Sequence, residues 1–242
     1  MQQDVAYVRN LIRANARSNS KKGAAMNVQL QEFVDYARQY IPKFKIAFKD
    51  KSKFMKLLSV ILFFLPSFMT RYTTTIGYTV YFPSETNLDK NPEGNLRVLA
   101  HEFVHMMDYK KYNILFSLGY IFPHIFAVFS LFALMAISFS NLWLLSLLML
   151  LLALPLPAYF RMYFELRGYT MSAAFNVWTG SNFPKEDWLL SIFAGSSYYF
   201  MWPFKDNMKK RMVVMFDRIK DDSILQDQTF KAVHDFILTH KK

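Results

Sequence analysis

Two histidines four residues apart, with a glutamate directly after the first, have the residue types and spacing of a metal site: His101, Glu102 and His105. On a helix this spacing puts both imidazoles on one face, where they can share an ion. A catalytic zinc site has three protein ligands and one open position, and zinc lowers the pKa of its bound water to about 7. We therefore predict that His101 and His105 bind Zn²⁺ and that Glu102 accepts the proton of that water. The alternative is a helix face with two histidines and no metal.

The segments around this motif predict a helix and a strand. The apolar pattern continues from Asn95 through Met107, which indicates a regular helix under the motif. Upstream, Tyr72–Phe82 is rich in β-branched and aromatic residues and stops at Pro83, so it is typical of a strand. The strand is either an ordinary sheet member or an edge to which an extended peptide adds backbone hydrogen bonds. We expect a mainly α-helical chain with a small β-sheet, an α+β fold.

A long uncharged run follows the motif. From Tyr112 to Phe160 the chain contains no Asp, Glu, Lys or Arg. A membrane-spanning helix needs about 20 apolar residues, so the run is long enough for two. We expect a transmembrane hairpin with helices near Asn113–Ile137 and Leu142–Tyr159, kinked or ended by prolines at 123, 155 and 157. The alternative is a helical hairpin buried in a large soluble core.

The charges at the ends of this run predict its orientation. Lys110 and Lys111 precede it, Arg161 follows it, and the turn between the two helices has no charge. By the positive-inside rule, the flanking polar regions then lie in the cytoplasm. We therefore expect an integral membrane protein whose site faces the cytoplasmic side.

Two shorter apolar stretches have other interpretations. Leu57–Thr70 has 14 residues between charged neighbours, a length suited to a segment that lies at the membrane without crossing it. Trp188–Phe204 is also uncharged, but the break at 195–197 favours a half-buried or interfacial helix, with a third span as the alternative.

The overall charge predicts the kind of partner. The 242-residue chain has a net charge of +11, and basic residues cluster in its N-terminal part and next to apolar segments. Such residues attract anionic lipid headgroups at roughly 1 kcal/mol each. No recognition motif for nucleic acid accompanies the charge, so we expect a lipid partner and no nucleic acid. The chain has no cysteine, which excludes disulfides and thiolate metal ligands. The basic residues concerned are Arg9, Arg13, Arg17, Lys21, Lys22, Lys43, Lys45, Lys49, Lys51, Lys53, Lys56, Lys209, Lys210 and Arg211.

Glu165 is the predicted third metal ligand. It follows the hairpin, and a hairpin returns the chain to the helix that carries the two motif histidines. His124 is too far along the first hairpin helix to complete the site, about 28 Å from His105 at 1.5 Å per residue. The alternative is that the arginines at 161 and 167 pair with Glu165 in a surface network.

Other polar residues have possible supporting roles. Asp108 lies on the face of the motif histidines, so it is a candidate for holding one imidazole by its second nitrogen. The candidates for stabilising an oxyanion are Tyr169, Tyr198, Tyr199 and His234.

The order of these elements resembles a known family. The motif His101-Glu102-Phe103-Val104-His105, a membrane hairpin and then Glu165 resemble the membrane-embedded gluzincin peptidases, which include heat-shock membrane proteases and CAAX-processing proteases. The resemblance covers roughly Thr73 to Ala174. It implies a zincin-like core with an inserted transmembrane hairpin, zinc held by His101, His105 and Glu165, and water activated by Glu102.

The residues and the resemblance together predict a membrane-anchored zinc metallopeptidase acting on a peptide or protein substrate. Two alternatives are an inactive zincin-like membrane or assembly protein and a zinc hydrolase of a non-peptide amide. The expected regions are a basic helical N-terminal part (1–56), a membrane-associated segment with edge strand and motif helix (57–111), the hairpin (112–160), and the third-ligand helix with the C-terminal helices (161–242).

Overall fold

The computed structural model describes residues 28–62, 65, 67–195, 198 and 200–240. The basic cluster predicted within residues 1–27 and the oxyanion candidate Tyr199 lie outside the described residues. As predicted, the fold is mainly helical with a small three-stranded sheet. The chain divides into two compact units, Met1–Glu102 and Phe103–Lys242. The division falls inside one continuous helix, Pro92–Tyr112.

The first unit combines helices with the sheet. Its helix α1 buries residues 30, 33, 34 and 37, the spacing of a single apolar face. Pro92 opens the last helix of the unit, at the position where a missing backbone N–H has no cost. The elements in chain order are α1 (Val28–Ala37), β1 (Lys45–Phe48), α2 (Lys53–Ile61), β2 (Thr74–Ile76), β3 (Thr79–Phe82), α3 (Glu85–Lys90) and α4 (Pro92–Tyr112).

The sheet has the order β1-β3-β2, with β1 parallel and β2 antiparallel to β3. Val80 and Phe82 alternate with half-exposed residues and are buried. The prediction of one continuous strand over Tyr72–Phe82 is wrong, because Gly77 has a φ of 59° and turns the chain between β2 and β3. Within the described residues, β2 is an edge strand.

Helix α2 exposes apolar side chains. Leu57, Val60 and Ile61 are 62%, 70% and 61% exposed, and Met55 is the buried residue of this helix. The helix thus covers the first part of the segment predicted to lie at a membrane surface.

The second unit is helical in its described part. Helix α5 packs on α6, α9 packs on α6, and α7 packs on α8. Helix α7 buries Leu189, Leu190 and Phe193 and exposes Trp188, so the half-buried interpretation is confirmed for the first part of the stretch 188–204, up to Ala194. After α4, its elements are α5 (Ile114–Ile121), two 3-10 helices (His124–Ile137 and Asn141–Ala153), α6 (Tyr159–Trp178), α7 (Glu186–Ala194), α8 (Lys205–Lys220), a short 3-10 turn (Ser223–Gln226) and α9 (Gln228–His240).

The two long 3-10 helices pack against each other as a hairpin, and neither has a buried residue. The predicted proline effects are confirmed, because the chain bends at Pro123 and the second helix ends at Ala153, before Pro155. Among the described helices, none is by itself both long and apolar enough for a membrane crossing. Ile114–Ile121 and His124–Ile137 meet the criteria of length and composition as a pair, with a bend of 78° between them.

Candidate metal centre

Helix α4 carries the three motif residues. His101, Glu102 and His105 are all buried, with exposed fractions of 9%, 7% and 5%. The helix is regular through the motif, so the two histidines lie one turn apart on the same face, as predicted. Buried polar side chains at consecutive turns need partners to offset their lost hydration.

Glu165 comes from α6 and is 2% exposed. One ligand atom from each of His101, His105 and Glu165 lies within 4.8 Å of the other two. Bonds of about 2.1 Å in a tetrahedral zinc site put neighbouring ligand atoms about 3.4 Å apart. Small side-chain movements would therefore bring these three groups onto one ion, and the donor set of two imidazoles and a carboxylate suits zinc.

Tyr120, on α5, completes the surroundings of Glu165. Its hydroxyl donates a hydrogen bond to Glu165 Oε1, and its ring lies edge-on to the His105 ring at a centroid distance of 6.2 Å. Phe116 packs against His105 and against Phe164, at 6.1 and 4.6 Å. The sequence interpretation missed Tyr120. The available signal was a phenol in the last turn of the mostly apolar segment Ile114–Ile121.

Thr75 orients the predicted base. Its hydroxyl donates a hydrogen bond of 2.7 Å to Glu102 Oε2. Thr75 lies on β2, so the edge strand and the motif helix meet at this carboxylate. A carboxylate held by one oxygen keeps the other in a defined direction.

Lys49 is a second neighbour of Glu102 that the sequence interpretation missed. The prediction that Lys49 belongs to the basic residues that attract lipid is wrong, because its side chain is fully buried. Its Nζ donates to the Phe68 carbonyl at 2.7 Å and lies 3.9 Å from the Phe68 ring centroid. Burial lowers the pKa of Lys49 to about 8, although the negative charge of Glu102 acts in the opposite direction.

A separate ion-pair network ties α4 to α6. Arg167 Nε donates to Asp108 Oδ2 at 3.1 Å, and another guanidinium nitrogen donates to Asp227 Oδ2 at 2.9 Å. Burial raises the pKa of Asp108 to about 6, and the charge of Arg167 offsets part of this effect. Arg167 thus pairs with two aspartates, which differs from the alternative in which it pairs with Glu165.

The oxyanion candidates separate into two places. The hydroxyls of Tyr169 and Tyr198 lie 3.0 Å apart. Burial raises the pKa of Tyr198 well above its usual range, and the charge of Glu165 adds to the shift. His234 instead packs edge-on against Trp178, with the ring centroids 4.9 Å apart.

Comparisons with known proteins gave no match to this chain, whether with protein-family models, curated proteins or solved structures.

The buried Lys49 predicts an unusual pH dependence. Between pH 8 and 10.5 the folded protein holds fewer protons at Lys49 than the unfolded chain does, so the free energy of unfolding rises with pH across this window. The full gain is about 3 kcal/mol. We expect Lys49→Met to lack this rise in denaturant unfolding, whereas Lys43→Met, at an exposed lysine, keeps it. Parallel pH curves for wild type and Lys49→Met would contradict the burial of a titrating amine.

The network around Arg167 predicts a large loss of stability on substitution. Arg167→Met leaves the 4%-exposed Asp108 side chain without its cation, so we expect a loss of about 3 kcal/mol in denaturant unfolding. The matched control is Arg38→Met, which removes an exposed pair with Asp35 and should cost at most about 1 kcal/mol. Equal losses in the free energy of unfolding would show that the Arg167 network stabilises the protein no more than an exposed ion pair does.

Proposed function

We propose that this chain is a membrane-anchored, zinc-dependent metallopeptidase. The observation that carries the proposal is the group of ligand atoms from His101, His105 and Glu165 within 4.8 Å of one another, with Glu102 on the same helix as the two histidines and Glu165 on α6. Zinc bound by these three groups would keep a fourth position for water and would polarise the scissile carbonyl. The resemblance of the motif, hairpin and glutamate to membrane-embedded gluzincins supports the same assignment.

Glu102 is the general base in this proposal. It accepts a proton from the attacking water as the water oxygen bonds to the carbonyl carbon, and it returns this proton to the leaving amine as the carbon–nitrogen bond breaks. The hydrogen bond from Thr75 holds one oxygen of Glu102 and leaves the other for the water. The buried ammonium of Lys49 and the carboxylate of Glu102 attract each other, which adds a second restraint on the base.

The position of β2 supports a peptide as the substrate. Strand β2 pairs with β3 on one side, and within the described residues no strand pairs with its other side. An extended peptide that adds to this edge receives backbone hydrogen bonds at the strand that carries Thr75, the partner of Glu102. The arrangement therefore supports peptide-bond hydrolysis over that of a small amide without a backbone.

The hairpin supports anchoring in a lipid bilayer. Large apolar side chains on both 3-10 helices face outward, with Leu134 and Leu148 exposed to 66% and 59%. Soluble proteins rarely expose apolar patches larger than a few hundred Å². Lys110, Lys111 and Arg161 flank the hairpin, which supports a cytoplasmic position for the polar regions. The exposed apolar face of α2 and its lysines fit an anionic membrane surface.

Two substitutions test the metal and the base separately. We expect Glu102→Gln to retain about one zinc per chain and to lower kcat about a thousandfold, because it removes the base and keeps the ligands. We expect Glu165→Gln to weaken zinc binding more than a hundredfold, because it removes a charged ligand. Elemental analysis measures the zinc, and mass spectrometry of a peptide library measures cleavage.

The matched control is Glu93→Gln, an exposed glutamate on the same helix, which should keep wild-type zinc content and cleavage. Purified wild-type protein without zinc would end the proposal. Stoichiometric zinc without cleavage of any peptide would favour the inactive, scaffold-like alternative, and cleavage that survives Glu102→Gln would refute the assigned base.

Single cysteines test the membrane anchor, since the native chain has none. In phosphatidylcholine–phosphatidylglycerol vesicles, we expect Leu148→Cys to resist a membrane-impermeant maleimide until detergent is added, because the hydrocarbon layer shields the hairpin. Val213→Cys, 55% exposed on α8, should react at once in protein whose polar regions face outward. Equal labelling of both cysteines in intact vesicles would contradict insertion of the hairpin.

A further inference from the structure

Helix α5 has two faces with different surroundings. Phe116 and Tyr120, four residues apart, contact residues of the candidate metal centre. Leu115, Leu118 and Phe122 follow one another at spacings of three and four residues, so they share another face of the chain at this helix. The second face takes no part in the proposed metal binding.

This second face forms a groove with α6. The groove has a volume of about 600 Å³, within the usual range of ligand-binding pockets. Its lining is apolar or aromatic throughout, and Leu115, Leu118 and Phe160 are 67%, 46% and 49% exposed. The groove is therefore open to the surroundings of the protein. We call it the α5–α6 groove, and its lining includes Leu115, Leu118, Gly119, Phe122, Phe160 and Tyr163.

The surroundings of the groove differ before and after α5. Tyr112 lines the groove before α5 begins, and the Nζ of Lys111 lies 5.0 Å from the centroid of its ring. Among the ion pairs of the described residues, none includes Lys111. Directly after α5, the Phe122 ring contacts that of Phe126 in the hairpin, at a centroid distance of 5.8 Å. The groove thus leads from a positive charge to the apolar surface of the hairpin.

The lining favours an acyl chain over a segment of protein. A buried peptide brings backbone N–H and C=O groups that need hydrogen-bond partners. The polar side-chain groups of the lining are three tyrosine hydroxyls. A hydrocarbon chain needs no such partner and gains free energy from contact with leucine and phenylalanine. Basic pockets beside membrane helices suit anionic headgroups, so the groove and its lysine together match the two parts of an anionic lipid.

We propose that the α5–α6 groove binds one acyl chain of an anionic phospholipid, with the lipid phosphate at Lys111. The inference rests on the membrane anchoring proposed above and adds a specific lipid site to it. Lys111 is exposed, so its ammonium can reach a phosphate without breaking an ion pair of the described structure. The acyl chain then follows Leu115 and Leu118 toward the hairpin. A lipid takes this direction from the headgroup layer to the hydrocarbon core of a bilayer.

The test measures lipid binding to the purified full chain in neutral detergent micelles by native mass spectrometry. The probes are phosphatidylglycerol and phosphatidylcholine with the same acyl chains. We expect saturation at one phosphatidylglycerol per chain. We also expect it to bind about fivefold more tightly than phosphatidylcholine, the value of one lysine beside an anionic headgroup.

Two variants test the two parts of the site. Lys111→Gln should bring the ratio of the two affinities close to one, because it removes the charge and keeps the lining. Leu118→Asn should weaken the binding of both lipids about tenfold, because an amide replaces an apolar contact with the acyl chain. The matched controls are Lys210→Gln, at an exposed lysine of α8, and Leu134→Asn, at an exposed leucine of the hairpin. Both controls should keep the wild-type affinities.

Four results would overturn the inference. These are equal binding of the two lipids to the wild-type protein, binding that continues past one lipid per chain without saturation, equal effects of the groove variants and their controls, and a lipid-free dimer that Leu118→Asn dissociates. The last result would assign the groove to a second copy of the chain.

The membrane anchor is tested separately by the cysteine at position 148. A missing preference for phosphatidylglycerol, with Leu148→Cys still shielded in intact vesicles, would refute the lipid site and leave the anchor intact. Labelling of Leu148→Cys in intact vesicles would refute the anchor itself.

Discussion

The burial of the Glu165 carboxylate beside an imidazole is the constraint on which the candidate metal centre depends. A carboxylate that is 2% exposed has lost nearly all its water and needs compensation from hydrogen bonds or positive charge. Tyr120 supplies one hydrogen bond, and it does so only because α5 packs on α6. A cation shared with the α4 histidines would supply the remaining positive charge. Metal binding would therefore offset the free-energy cost of burying Glu165.

The polar residues around this centre are each held by an element distant in sequence. Thr75 reaches Glu102 from a strand, and Arg167 connects Asp108 at the end of α4 to Asp227 before α9. Such links restrain side chains whose positions matter to within a fraction of an ångström in catalysis. Burying Asp108 still has a free-energy cost. Its pKa is raised, because the charge of Arg167 offsets only part of the effect of burial.

The sequence was sufficient for features that depend on local pattern. The spacing of the motif histidines predicted a shared helix face, and the uncharged run predicted a return of the chain that brings Glu165 to them. The same reasoning failed where a contact joins distant residues. Nothing local distinguishes Thr75 from its threonine neighbours, or Lys49 from the exposed lysines around it, and the turn at Gly77 has the same β-branched surroundings as a continuous strand.

His105 and Glu165 are 60 residues apart in sequence, and the hairpin between them returns the chain to the same core. Its two 3-10 helices pack on each other, and neither has a fully buried residue in the described structure. The geometry at the ends of the hairpin then depends on α5 and α6, which pack directly on each other. They approach so closely at Gly119 that an added Cβ would lie 3.2 Å from the Phe160 side chain. The geometry of the candidate metal centre therefore does not depend on the exposed apolar side chains of the hairpin. A bilayer would cover the hairpin while the packing of these helices keeps Tyr120 on Glu165.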